Sequence, residues 1–352
     1  MAPPIAEIID SDGHIMEQDE EIEPYLPAKY RGARVTTMPF FPTLDGWHRQ
    51  GGAIARAPES ALQEERDDTQ RLYADPAGWS RFLDEAEISG AVIYPTAALA
   101  FGFSKDREWA IDLARAYNDF VYDRYMKNDP RLTAVAILPL QDPEASATEL
   151  RRAVDELGMV GGLLPAVGLR HLYGEPLFDP LYAAAQSLGV PLGVHGGSRN
   201  GLALDLFDSP DQAFILSHPY SLMNQFTNMI GERVFDRFPD LKVAFLEGGC
   251  GWVPYLMERI DRRYAHKGSQ PASEQVRDHP IYFHAELEER EVLLAAISEV
   301  GEDRFVYATD FPHETAGTCS HALQVFQSRQ DIAESTKRKI LCDNVKAMYG
   351  MD

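Results

Sequence analysis

Residues 8–14 of the chain are Ile-Ile-Asp-Ser-Asp-Gly-His, a short apolar run that changes abruptly into two carboxylates and an imidazole. Side chains alternate between the two faces of a β-strand, so Asp10, Asp12 and His14 are predicted to share one face. If this strand begins a parallel barrel, its carboxyl end lies where such barrels carry their active sites. The alternative is a solvated strand end, because Asp and Gly also form turns. The stretch by itself therefore indicates either a metal site or a simple turn.

The composition is that of an ordinary globular protein. The chain has 352 residues, of which 45% are hydrophobic and 25% are charged, enough for one large core. A formal net charge of −22 disfavours nucleic acid and membrane surfaces as partners and favours a small molecule. Residues 1–7 do not resemble a signal peptide, and no apolar run approaches the roughly 18 residues of a membrane span. The three cysteines are widely spaced. We expect no disulfide framework and a cytoplasmic location.

After the first strand, apolar β-like runs alternate with segments of helical periodicity. Seven further strands are predicted at 90–95, 132–139, 159–165, 190–195, 241–247, 281–284 and 305–310. The helices predicted between them include 108–128, 180–188, 221–238, 255–264 and 289–300. Alternating strands and helices favour a parallel sheet, and eight such units favour an α/β fold of the (β/α)8 or TIM-barrel type, in one domain spanning residues 1–352. An open doubly wound sheet is the alternative, but no G-x-G-x-x-G motif opens the first helix.

The segment 15–79 interrupts this pattern. It is acidic and contains several proline and glycine residues. Loops of this length are uncommon in compact proteins unless they serve a function, so the segment is predicted to distort the barrel and to cover the site as a cap. A surface or subunit-contact loop is an equal alternative.

Polar residues follow the predicted strands at the same edge. His195 ends the fifth strand, Glu247 the sixth and Asp310 the eighth. A single histidine is more often a hydrogen-bonded core residue than a ligand, but Asp12 and His14 lie at an equivalent strand end. Two imidazoles and two carboxylates are a normal ligand set for a divalent ion that keeps room for water. The sequence thus predicts one metal ion held by Asp12, His14, His195 and Asp310.

These motifs, in this order, resemble the amidohydrolase superfamily. They are Asp-Ser-Asp-Gly-His at 10–14, His195, the run 235–243 leading into Glu-Gly-Gly at 247–249, Thr-Asp-Phe-Pro-His at 309–313, and the closing segment 343–350. Within the superfamily, the chain is most similar to the branch typified by aminocarboxymuconate-semialdehyde decarboxylase. The resemblance implies a barrel, one catalytic divalent metal, and decarboxylase, hydrolase or hydratase activity on small, often aromatic-derived acids.

Two residues depart from the pattern that the resemblance implies. Asp12 replaces one imidazole of the His-x-His pair found on the first strand of many relatives, and carboxylate ligands shift the preference from zinc towards manganese. Glu247 stands where decarboxylases of the branch usually have a histidine. We therefore expect first a hydrolase, in which Glu247 or Asp310 deprotonates metal-activated water. Decarboxylation of an aromatic or muconate-type acid, and hydration, are the alternatives.

Three further residues are candidates. His218 precedes a proline at the start of a predicted helix, and His284 ends the seventh strand, so both can contribute to catalysis. The resemblance implies that Arg259 binds a substrate carboxylate, across the contact of a homodimer. We expect no role at the site for the remaining histidines, which are His48, His171, His266, His279, His313 and His321.

Overall fold

A computed structural model describes residues 5–31, 39–44, 74–197, 201–265 and 270–351. Within these residues, eight parallel strands pair in sequence order. They are β1 (Ile9–Ile15), β2 (Gly90–Pro95), β3 (Leu132–Ala136), β4 (Gly161–Pro165), β5 (Leu192–His195), β6 (Val243–Leu246), β7 (Ile281–His284) and β8 (Phe305–Val306). The predicted (β/α)8 barrel is confirmed.

Backbone hydrogen bonds between β1 and the segment around β8 close the barrel. The Ser11 amide donates to the Tyr307 carbonyl at 3.0 Å, and the Asp310 amide donates to the Asp12 carbonyl at 3.2 Å. Because these bonds join the first strand to the last, the two ends of the chain's barrel become neighbours. Closure therefore brings Asp310 beside Asp12.

Helices alternate with the strands. The described α-helices are α1 (Asp19–Ile22), α2 (Pro76–Glu85), α3 (Arg107–Val121), α4 (Pro143–Leu157), α5 (Asp179–Leu188), α6 (Pro210–Gly231), α7 (Val234–Arg237), α8 (Trp252–Tyr264), α9 (Ala272–Asp278), α10 (Glu291–Val300), α11 (Ala316–Ser328), α12 (Glu334–Arg338) and α13 (Asn344–Tyr349). Their ends follow local chemistry. The Asp142 carboxylate accepts from the Ala145 amide at the start of α4, and left-handed glycines follow α4 and α5.

Some predicted element boundaries are wrong. The predicted helix 221–238 is two helices, because Arg233 between α6 and α7 has a left-handed backbone with φ 57°. The sixth and eighth strands end earlier than predicted, at Leu246 and Val306. Beyond their ends, Glu247 and Asp310 also have left-handed backbones, with φ 59° and 54°. Such residues cannot continue a strand, so the chain turns at both carboxylates.

The prediction that Asp10 shares a face with Asp12 and His14 is wrong. The pairing of β1 with β2 shifts register between Asp10 and Gly13, which breaks the strict alternation of side chains. The Asp10 carboxylate instead accepts hydrogen bonds from the amide and hydroxyl of Thr309, at 2.9 and 2.5 Å, and from the Asp12 amide at 3.1 Å. Asp10 therefore joins β1 to the segment after β8.

The long insertion after β1 is present, but much of it, at 32–38 and 45–73, lies outside the described residues. The predicted cap therefore stays a prediction. Near its end, Trp79 is buried, packs edge-on against Phe311 with ring centroids 4.9 Å apart, and donates to the His14 carbonyl at 3.1 Å. A Cβ at position 13 would lie 2.2 Å from the Trp79 ring, so the close approach requires Gly13. The end of the insertion thus packs against the carboxyl end of β1.

The cysteines form no disulfide in the described structure. All three cysteines are buried and free of disulfides. None of the described helices is both long and apolar enough to cross a membrane.

Replacing Asp10 by Ala should lower the free energy of unfolding by about 2–4 kcal/mol, because it leaves the buried Thr309 and Asp12 amides without their acceptor. Chemical denaturation of the variant measures this loss. Asp155→Ala on the exposed face of α4 is the matched control and should change stability little. Equal stability of the two variants would show that the contact with Thr309 does not hold the barrel closed.

Candidate metal centre

The four predicted ligands meet at the carboxyl end of the barrel. Asp12 and His14 lie on β1, His195 is the last residue of β5, and Asp310 follows β8. The shortest distances are 3.0 Å from His195 Nε2 to Asp12 Oδ2, 3.6 Å from His14 Nε2 to Asp12 Oδ1, and 3.5 Å from His14 Nε2 to Asp310 Oδ1. The first three side chains are buried, and that of Asp310 is 22% exposed. The centre is thus enclosed on the barrel side and open towards Asp310.

The atoms that face one another in this cluster have no hydrogen-bond partner among the described residues. They are Asp12 Oδ1, His14 Nε2, His195 Nε2 and Asp310 Oδ1, one from each predicted ligand. Buried polar atoms are normally paired, so unpaired atoms on four neighbouring side chains need an explanation. Oxygen and nitrogen atoms with available lone pairs are what a divalent cation binds.

The other ring nitrogens of the two histidines are occupied. His14 Nδ1 donates to the Pro95 carbonyl at 2.8 Å, and His195 Nδ1 donates to the Gly196 carbonyl at 3.0 Å. In the neutral ring, a carbonyl acceptor on Nδ1 leaves the lone pair on Nε2, which is the arrangement of metal-ligating histidines. The donor set therefore fits one divalent ion.

Burial and mutual charge shift the pKa values in this cluster strongly. Burial lowers the pKa of His14. It also disfavours the charged form of His195, but the Asp12 and Glu247 carboxylates outweigh this and raise the His195 pKa to about 9. Burial, together with the charges of Glu247 and Asp12, raises the pKa of Asp310 well above its usual range. These carboxylates repel one another, and a bound cation would relieve that repulsion.

Glu247 lies between a metal ligand and a second histidine. Its Oε2 is 3.3 Å from His195 Nε2, and its Oε1 is 3.6 Å from His218 Nε2 on α6. Burial raises the pKa of Glu247, but the charges of His218 and His195 outweigh it and lower that pKa to about 2. Ser217 Oγ lies 3.1 Å from Nδ1 of His218. A Cβ at Gly196 would lie 2.4 Å from the His218 ring, so this approach depends on glycine.

The structure does not bring the other two candidates into contact with the four ligands. His284 is buried at the end of β7, and its Nδ1 lies 3.6 Å from Glu286 Oε1. Arg259 is exposed on the outside of α8, with its guanidinium 5.6 Å from the centre of the Tyr255 ring. Within one chain, Arg259 therefore has no described contact with the centre.

His313 is the site residue that sequence reasoning missed. One of its ring nitrogens lies within 4.8 Å of the ligand atoms of His14 and Asp310, so the expectation that it has no place at the site is wrong. The turn after Asp310 causes this, because the His313 amide donates to the Asp310 carbonyl at 2.8 Å. Burial and the nearby His14 lower the pKa of His313 to about 4. Its place three residues after Asp310 in the Thr-Asp-Phe-Pro-His motif was the available signal.

The remaining described histidines have no described contact with the predicted ligands. His171 bonds to Glu175, His279 bonds to the Pro239 carbonyl, and His321 is exposed on α11. His48 and His266 lie outside the described residues.

Known proteins resemble the chain over most of its length. A family model described as amidohydrolase matches residues 9–351. The γ-resorcylate decarboxylase of Rhizobium sp. (strain MTP-10005) is 31% identical over 264 residues, which is 70% of this chain and 79% of that protein. The 2-amino-3-carboxymuconate-6-semialdehyde decarboxylase of Dictyostelium discoideum is 26% identical over 274 residues, which is 76% of this chain and 74% of that protein. The superfamily and branch indicated by the motifs are confirmed.

A solved structure shares the fold. The dihydroxybenzoic acid decarboxylase of Polaromonas sp. JS666, with bound manganese and the inhibitor 2-nitroresorcinol, aligns with a TM-score of 0.70 at 23% identity. The alignment covers 98% of this chain and 97% of that one. The two chains therefore share the barrel fold.

Replacing His195 by Ala should lower metal occupancy at least about tenfold, because it removes one of four ligands while leaving the strand intact. Elemental analysis of the purified variant, loaded with manganese or zinc and then dialysed, gives the occupancy. His321→Ala on exposed α11 is the control and should bind metal like the wild type. A full equivalent of metal in the His195 variant would overturn this ligand assignment.

Proposed function

The chain belongs to the amidohydrolase family, and on that premise we propose that it is a metal-dependent, non-oxidative decarboxylase of a small aromatic hydroxy acid. The observation that carries the proposal is the convergence of four unpaired ligand atoms in a chain that is 31% identical to a γ-resorcylate decarboxylase over 70% of its length. Of the reactions that the sequence left open, these relatives favour decarboxylation over hydrolysis. A 2-keto-4-carboxy-3-hexenedioate hydratase from Sphingobium is also related, at 28% identity over 251 residues. Hydration therefore remains the second candidate.

Asp12, His14, His195 and Asp310 would hold the ion. Two carboxylate ligands favour manganese over zinc, and the similar Polaromonas enzyme carries manganese. When bound, a divalent ion would supply positive charge that binds a substrate oxygen and stabilises the negative charge developing as carbon dioxide leaves. The remaining groups of the centre must then bind the ring and handle one proton.

The proton requirement follows from the chemistry. When the ring–carboxylate bond breaks, its electron pair stays on the ring carbon, and a proton must form the new C–H bond there. Glu247 and His218 face each other at 3.6 Å, and a carboxylate between two imidazoles stabilises a proton on either of them. We assign proton delivery to this pair, and Asp310, beside His14, is the alternative donor.

The same Glu247 would act as general base if the enzyme added water to its substrate. The two reactions differ in their products, since decarboxylation releases carbon dioxide and hydrolysis or hydration does not. Incubating the manganese-loaded protein with γ-resorcylate and related hydroxybenzoates, and measuring carbon dioxide and the phenolic product, therefore tests the proposal. Water addition without carbon dioxide release would favour the second candidate.

Changing Glu247 to Gln keeps the shape of the side chain and removes its ability to exchange a proton. We expect metal to be retained and turnover to fall by roughly a hundredfold or more, as is usual for loss of a general acid or base. Steady-state kinetics with parallel elemental analysis measure both quantities. Glu156→Gln on the exposed face of α4 is the control. Near-normal turnover would show that Asp310, His218 or His284 delivers the proton without Glu247. Loss of metal would show that Glu247 is a ligand.

A homodimer is the assembly that we propose. Large apolar side chains are exposed along the first half of α6 and on neighbouring α8, where Ile215 is 70% and Tyr255 is 59% exposed. Leu216 and Tyr220 extend this apolar surface. Contiguous exposed apolar surface is typical of protein contacts. Arg259 lies one turn from Tyr255, so a contact here would place this arginine at the subunit boundary.

Sedimentation at micromolar concentration should therefore give the mass of two chains. Introducing a charge into the apolar surface, as in Ile215→Lys, should shift the mass towards one chain, because burying an unpaired ammonium is unfavourable. Val325→Lys, at an exposed apolar position on α11, is the control. A wild-type mass of one chain would refute the dimer.

A further inference from the structure

The His313 ring lies beside the candidate metal centre, between His14 and Thr96. Its ring lies edge-on to the His14 ring, with centroids 4.9 Å apart and an interplanar angle of 61°. Its Nε2 lies 3.1 Å from Thr96 Oγ1. Among the described residues, Nδ1 of His313 has no hydrogen-bond partner.

Thr96 is itself fixed in place. The Glu17 carboxylate, two residues beyond β1, accepts from the amide of Thr96 at 3.1 Å, that of Ala97 at 2.9 Å and that of Ala98 at 3.4 Å. Three amide donors on one carboxyl group fix the backbone after β2. The Thr96 hydroxyl, and the His313 ring against it, therefore have a defined position.

His313 is not needed as a metal ligand. His14 has only one free ring nitrogen, so the groups Asp12–His14–His195 and His14–Asp310–His313 compete for the same ion rather than hold two. The unpaired ligand atoms belong to the four predicted ligands, whereas Nε2 of His313 already faces Thr96. His313 thus stands beside the ligands, close enough to contact a molecule that binds at the centre.

The charges of the centre indicate which groups can bind such a molecule. Among the described residues, the ion pairs at the centre join a histidine to a carboxylate in every case, and no Lys or Arg takes part. An incoming carboxylate would face Asp12, Asp310 and Glu247. Apart from a bound cation, the side-chain groups among the described residues that can donate to it here include the imidazoles of the centre.

We propose that His313 is a substrate-binding residue that donates a hydrogen bond from Nδ1 to the carboxylate of an arenecarboxylate substrate, with Thr96 and Glu17 as positioning residues. The inference rests on the proposed function. The proposal requires the tautomer in which the Thr96 hydroxyl donates to Nε2 and the ring proton of a neutral His313 lies on Nδ1. The arrangement orients the carboxylate that is to be lost.

The test compares two probes on the manganese-loaded protein, γ-resorcylate and resorcinol, which lacks the carboxylate. In His313→Phe, which keeps a ring and removes both nitrogens, γ-resorcylate should bind about ten- to hundredfold more weakly, as for loss of a hydrogen bond to a charged group, and resorcinol should bind unchanged. Titration calorimetry gives both affinities. His321→Phe is the matched control. Equal losses for the two probes, or loss of manganese by elemental analysis, would overturn the proposal.

Thr96 provides a second variant in case His313→Phe does not fold. Thr96→Val removes the hydroxyl and should weaken γ-resorcylate selectively, and Thr96→Ser should restore the affinity. A Val variant that binds γ-resorcylate like the wild type would overturn the positioning role.

Carbon dioxide release tests the proposed decarboxylase activity, and carboxylate binding tests the role of His313. If the wild type releases no carbon dioxide from any hydroxybenzoate, decarboxylation is wrong, and acetate becomes the carboxylate probe. His313→Phe must then weaken acetate binding by a similar factor. A wild type that binds neither γ-resorcylate nor acetate would overturn the assignment of His313.

Discussion

The contact between β1 and the segment after β8 is the constraint on which the centre depends. Asp10 accepts two hydrogen bonds from Thr309, the residue before Asp310, and one from the amide of Asp12. A single buried carboxylate therefore fixes the backbone on both sides of the barrel seam. Because Asp12 and Asp310 are adjacent to these bonds, Asp10 fixes the backbone that positions their side chains, although its own carboxylate does not face the candidate metal centre. The register shift in β1 makes this division of roles possible.

Two carboxylates of the centre stand on left-handed backbone. Glu247 and Asp310 have positive φ angles, which non-glycine residues adopt only at an energetic cost. In both places the turn ends a strand and points a carboxylate towards the ring nitrogens of His195 and His14. Placing several carboxylates together in a buried site is also unfavourable unless positive charge accompanies them. Backbone strain and electrostatic repulsion are therefore both unfavourable at this site, and a bound divalent cation would offset the electrostatic repulsion.

The centre has two different sides. On one side, Glu247 and His218 form a pair suited to moving a proton. On the other, Glu17, Thr96 and His313 form a chain of hydrogen bonds that joins the ends of β1, β2 and β8.

The sequence by itself determined the barrel and the superfamily and predicted the four ligands, because periodicity and strand-end residues are local properties. Asp12, His14, His195 and Asp310 each end or follow an apolar run, and parallel strands bring such ends to one edge. The tertiary structure alone decided the roles of Asp10 and His313. A register shift turned Asp10 away from the face that Asp12 and His14 share, and a turn after Asp310 placed His313 beside the predicted ligands. Neither follows from alternation along a strand, since both depend on hydrogen bonds between segments that are distant in the chain.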